Sequence, residues 1–262
     1  PQVLSLSAAD LDKVNYKRII EIYKERFANA ADFNFIITGS IDIEKLKPFL
    51  CQYLASLPSA KGREVRGKNI PEIQEKNITR LMVHPQATPV VRTSVLYSAR
   101  IPYSVENEIK LDILASLLRS GYLQSIREDK GGAYNIKVTS TLAQYPYSQM
   151  VLKVAFSTAP EKYKELIPLV DAGLLKLANN GVDAQELGKI KTYLLKTYKS
   201  VVNTNEYWEE LLFNYLYNNV DADAGYQRFI EQLTPQDMQR FAKLVVENKK
   251  RIEVTMSSEK IQ

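Results

Sequence analysis

Residues 127–134 read Arg-Glu-Asp-Lys-Gly-Gly-Ala-Tyr and separate an amphipathic run from an alternating one. Arg127 and Tyr134 stand seven residues apart, with Gly131 and Gly132 between them. A guanidinium is a planar, permanently charged fork of donors, and a phenol is a neutral donor. Two readings of the stretch stand side by side. In one, both glycines stop a helix with positive backbone φ, Arg127 is solvated and Tyr134 is packed. In the other, the same turn presents Arg127 and Tyr134 toward a shared cleft, as half of an active site. Glu128 and Asp129 complicate the second reading, because either can pair with Arg127. Their charge near a helix C-terminus is also unfavourable on dipole grounds.

The remaining reactive residue types are few. His84 is the only histidine and Cys51 the only cysteine. A self-contained zinc site draws three or four ligands from His and Cys with some carboxylates, so the two counts argue that this segment binds no metal. A Ser-His-Asp or Cys-His triad would have to use His84, which precedes a proline at a strand end, with no nucleophile elbow in the chain. Cys51, in LKPFLCQYLASLP, reads as a small apolar residue on a buried helical face, and one cysteine forms no intrachain disulfide. Tyr145 and Tyr147, in AQYPYS, fit either a peptide groove or a hairpin loop with exposed aromatics. Trp208, in NTNEYWEELLFNYLYNN, reads as part of a core-facing helix.

The 262 residues are 45% hydrophobic and 25% charged, the composition of an ordinary globular protein with material for a core. The 35 basic and 30 acidic residues are intermixed. Clustered basic residues interleaved with aromatics are missing, which argues against nucleic acid as a partner. No apolar run approaches the roughly 20 residues that cross a bilayer. The chain begins PQVLSLS, without an initiator methionine or signal core, and is expected to be a segment of a longer protein.

These chemical candidates need elements to hold them. Spacing predicts a helix over 7–27 capped by Ser7, a strand over 33–39, and a helix over 42–57. A surface connection follows over 56–72. Strands are expected at 78–84 and 90–101, then a long helix capped by Ser104 that resumes in YLQSIRED. Ile136, Val138 and Leu142, then Met150, Leu152, Val154 and Phe156, alternate as an antiparallel hairpin. Helices are expected at 161–180, 183–203, 205–219, 222–232 and 235–247, the last opening with Thr234 and Pro235. Ile252, Val254 and Met256 share one face of a closing strand at 251–257. The order implies an α+β fold, a mixed, largely antiparallel sheet packed against helices, with residues 1–262 as one domain.

Taken together, IYKERFANAADFNFIITGSIDIEKLKPFLCQYLASLP (22–58) and LLRSGYLQSIREDKGGAYNIKV (117–138) resemble the carboxy-terminal half-module of the pitrilysin/insulinase family of zinc metallopeptidases. The first resembles the family's helix–strand–helix opening, with Gly-x-x-Asp after the strand. The second resembles its Arg…Tyr signature, and the likeness runs from about residue 8 to 256. The family's H-x-x-E-H motif needs two histidines, so the resemblance implies that zinc sits in an amino-terminal catalytic module facing this one. It implies a peptide substrate, with Tyr134 donating to the carbonyl oxygen as it becomes an oxyanion. Arg127 would orient the peptide, and Gly131 and Gly132 would let it approach. This segment alone is then expected to be inactive, in a periplasmic or secreted parent. The alternative is an inactive structural or assembly subunit of the same family.

Overall fold

The computed structural model describes residues 7–62, 64–65, 76–128, 130–133 and 135–260. The chain divides into two compact units, Pro1–Ile73 with Asn203–Asn219 and Gln74–Val202 with Val220–Gln262.

The smaller unit holds α1 (Ala8–Leu11), α2 (Tyr16–Phe27), α3 (Ile43–Phe49) with a π-helical turn Leu50–Leu54, and α7 (Asn205–Asn218). Ser7 caps α1 as expected, through a reciprocal capping box with Asp10. The expected single helix over 7–27 breaks where the Asn15 side chain accepts from the Arg18 amide and starts a new one. Residues 33–38 carry the alternating pattern of a strand but form none. A strand needs a neighbour to take its amides, and this segment has no ladder partner among the described residues. Cys51 and Trp208 are exposed rather than in a core. Phe49, Tyr53, Tyr215 and Leu216 are exposed with them, because helical spacing names a shared face without naming what covers it. Polar ties around Asn29 join parts of the unit, its Oδ1 accepting from the amides of Ala31 and Ala60.

The larger unit is built on five strands, β1 (Ile78–Val83), β2 (Val91–Ala99), β3 (Asn135–Ala143), β4 (Gln149–Thr158) and β5 (Lys250–Ser257), in the order β1-β5-β2-β4-β3. Only β1–β5 is parallel, as expected of a mixed, largely antiparallel sheet. α4 (Val105–Tyr122), α5 (Tyr163–Asn180), α6 (Ala184–Val201), α8 (Tyr226–Gln232) and α9 (Pro235–Asn248) complete the unit. α8 is shorter than expected, because Asp221 takes the amides of Asp223 and Ala224 and Gly225 adopts positive φ before the helix starts.

One sheet face is buried. Val95, Tyr97, Leu152, Val154 and Phe156 meet Leu114, Leu118, Val170, Leu174 and Val245 in a single apolar cluster. β5 departs from the pattern in an instructive way. Ile252, Val254 and Met256 do share a face, but the buried one carries Glu253, Thr255 and Ser257. None of the helices among the described residues is long and apolar enough to cross a membrane.

Candidate functional site

The segment carrying Arg127 is fixed by what precedes it. Tyr122, fully buried at the end of α4, donates its phenol to the Val170 carbonyl of α5 at 2.6 Å. A Cβ on Gly173 would lie 2.3 Å from that ring, so glycine there makes the room. The chain continues into a π-helical turn, Leu123–Glu128. Ile126 in that turn is fully buried, while Arg127 and Glu128 on either side of the exit are exposed. Arg127 makes no ion pair among the described residues, so Glu128 does not occupy it.

The glycine turn is held from three sides. The Gly132 amide donates to the Ile126 carbonyl at 3.2 Å and closes the helical end. Lys162 Nζ donates to the carbonyls of Lys130 and Gly131 at 3.0 and 3.1 Å. The Thr158 hydroxyl, at the end of β4, donates to the Gly132 carbonyl. Gly131 has φ of 54°, as a helix stop requires. Gly132 does not share that conformation. Its requirement is steric: an added Cβ would sit 2.6 Å from Leu166 Cδ1. Of the four residues expected at the site, the structure brings Arg127, Gly131 and Gly132 onto one braced turn. Tyr134 lies outside the described residues, as does Asp129.

The other sequence candidates fall elsewhere. His84 is exposed, its backbone amide bonded to the Ser257 carbonyl at 2.7 Å. Among the described residues no three of His, Cys, Asp and Glu converge on a cation site. The described residues therefore offer no ligand set for zinc. Tyr145 and Tyr147 are half-buried, and Arg100 lies over the Tyr147 ring at 5.4 Å.

Sequence reasoning missed a polar network beneath α5. Asp171 accepts from the Tyr97 hydroxyl at 2.8 Å and from Arg251 Nε at 2.9 Å. Arg251 also pairs with Glu253 at 2.7 Å, and the Tyr163 hydroxyl donates to the other oxygen of Glu253. Burial, then the Glu253 hydrogen bond, pushes the Tyr163 phenol up to about 12. Burial also opposes the Arg251 cation, but Glu253 and Asp171 more than offset it and hold its pKa above the ordinary value. The signals were present: an acid inside the apolar run LIPLVDAGLL, and Arg and Glu at alternate positions of a strand. The network joins β2, β5 and α5.

The class of protein is that of an α+β half-module whose described residues hold no metal-ligating set. Residues 13–194 match the peptidase M16 inactive domain. The chain belongs to that family. It is 24% identical over 220 residues to the probable zinc protease PqqL of Escherichia coli, an alignment covering 82% of this chain and 23% of that protein. It is 21% identical over 257 residues to a zinc protease PQQL-like protein of Arabidopsis thaliana, covering 88% and 27%. The chain thus spans about a quarter of the length of these relatives. The crystal structure of the periplasmic protease PqqL from Escherichia coli superposes with a TM-score of 0.82 at 19% identity, covering 96% of this chain and 28% of that one. A peptidase M16 inactive domain from Pseudomonas fluorescens gives 0.62 at 17% identity, covering 82% and 51%.

Proposed function

We propose that this chain is the non-zinc module of a longer zinc-dependent metallopeptidase and helps it bind peptide and stabilise the transition state. One observation carries the reading. In a member of an inactive-domain family, the turn bearing Arg127 is braced by Lys162 and Thr158, while Arg127 itself is exposed and unpaired among the described residues. A scaffold has no need to hold a cation ready in this way. In this reading Arg127 takes a carbonyl or carboxylate of the bound peptide through its planar donor fork. The Tyr134 hydroxyl donates to the carbonyl oxygen as charge develops on it. The metal and its ligands belong to the other module, and the parent works in a periplasmic or secreted setting; the similar Escherichia coli protease is described as periplasmic.

The test uses the full parent protein. Losing one oxyanion donor costs about 3–4 kcal/mol, or roughly a hundred- to a thousand-fold in rate. Tyr134→Phe should lower kcat at least ten-fold with zinc content unchanged. Unaltered kcat would remove Tyr134 from the chemistry, whereas a parent without an H-x-x-E-H motif would favour the assembly subunit. The chain alone should hydrolyse no peptide when zinc is supplied.

A further inference from the structure

We infer that the sheet face opposite the apolar cluster is a docking surface for an extended acidic peptide. The inference deepens the peptide-handling reading above and rests on it.

Strand register defines the surface. Arg80, Val254, Ser94, Ala155 and Lys137 fall in one row across all five strands. The inner members of that row are small or short, so it forms a shallow trough. Arg80 and Lys137 stand at its two ends, four strand spacings or about 19 Å apart. Arg92 lies two residues from Ser94 along β2, and Lys153 two residues from Ala155 along β4. Because β2 and β4 run antiparallel, Arg92 and Lys153 flank the trough on opposite sides, each about 7 Å from it. Arg80, Arg92, Lys137 and Lys153 are all exposed. None pairs with a carboxylate among the described residues.

The charge on this face is one-sided. Lys250 adds a fifth cation, and the only acid in the five strands, Glu253, lies on the buried face. The whole chain, by contrast, carries 35 cations against 30 acids. Lysine and arginine on edge strands guard against edge-to-edge pairing, which accounts for Arg80 on β1 and Lys137 on β3. It does not account for Arg92 and Lys153, which sit on the inner strands β2 and β4. Cations held unpaired within one sheet face repel one another and favour an anionic partner. In an extended peptide, side chains on one face recur every about 7 Å. Carboxylates four residues apart therefore match the separation of Arg92 and Lys153, with Leu96 and Ile252 in the row of Lys153 and Met256 in the row of Arg92 for apolar contact.

The test measures binding to this 262-residue chain by fluorescence anisotropy. The probe is a labelled dodecapeptide of alternating Glu and Ala, compared with its Gln/Ala counterpart. The acidic peptide should bind at least ten-fold more tightly, and the advantage should shrink between 50 and 300 mM salt. The Arg92→Glu/Lys153→Glu pair should weaken it at least ten-fold, with Arg92→Gln/Lys153→Gln intermediate. Reversal of an exposed helical cation, Lys189→Glu, should change it less than two-fold. Equal affinity for the two peptides, an equal effect of Lys189→Glu, or tighter binding of an oligothymidylate of the same length would overturn the inference. The two ideas fail separately. Loss of acidic-peptide selectivity with a Tyr134-dependent kcat sinks only this surface, and the reverse result sinks only the catalytic reading.

Discussion

Gly132→Ala is the sharpest probe of the turn that carries Arg127. The added methyl would lie 2.6 Å from Leu166 Cδ1, 2.9 Å from Cδ2 and 3.2 Å from Cγ. Leu166 is fully buried, so it cannot swing aside without displacing its neighbours. Overpacking of this kind costs about 1–3 kcal/mol. Restricting the unfolded chain returns about 0.4–1 kcal/mol, because Gly132 lacks the positive φ that would penalise alanine. The net loss is about 1–2 kcal/mol, a fall in Tm of about 3–6 °C for a chain of this size. Thermal unfolding followed by circular dichroism measures it. A double-mutant cycle makes the cause specific. Leu166→Ala alone should cost about 2–5 kcal/mol. Gly132→Ala in that background should cost nothing or stabilise, since the clash partner is gone. Additive effects, or an unchanged Tm in the single variant, would refute the steric account.

Two further predictions concern the network beneath α5. Arg251→Met strands the carboxylates of Asp171 and Glu253. Breaking a fully buried pair costs about 3–5 kcal/mol. Arg251 and Asp171 keep 21% and 32% of their side-chain exposure, so about 2–3 kcal/mol is expected by urea unfolding, with Asp171→Asn/Glu253→Gln restoring most of it. At alkaline pH the Tyr163 phenol, at about 12 in the folded chain, holds its proton after the unfolded chain releases it near pH 10. Stability is therefore complete below pH 10 and falls as pH rises toward 12. Urea midpoints at pH 8, 10 and 11 should show the decline and Tyr163→Phe should make it shallower, the remainder coming from Tyr97, Tyr122 and Tyr226, whose phenols burial also pushes up; identical slopes in the two proteins would exclude a contribution from Tyr163.

The sequence was most legible where a signal is local. Ser104 accepts from the Asn107 amide at 3.1 Å, and Thr234 with Asp237 forms the cap of α9, as the residue types required. The alternation of Met150, Leu152, Val154 and Phe156 named a buried strand face directly, because all four are apolar. β5 was harder. Alternation groups Ile252, Val254 and Met256, but the core side is set by Asp171 and Tyr163, about 80 and 90 residues away in the chain. Gly132 fails for the same reason, since its constraint comes from Leu166 rather than from its own turn. Residues 33–38 show the converse, a strand pattern without the ladder that makes a strand.

These distant constraints meet on α5. Tyr163, Leu166, Val170 and Leu174 recur at three- and four-residue spacing and form one face of the helix. At its start, Lys162 grips the carbonyls of the Arg127 turn and Leu166 fills the space that Gly132 leaves. Tyr163 reaches Glu253 on β5, and one turn beyond Leu166 the Val170 carbonyl takes the Tyr122 phenol. Asp171 then binds Tyr97 of β2 and Arg251 of β5. A shift of α5 along its axis cannot move the Arg127 turn without also straining the sheet's polar network. Interfaces of this packed kind respond in discrete steps rather than by gradual deformation. The cation at the turn and the cationic sheet face are thus fixed in one frame, which is what the proposed docking of an extended peptide requires.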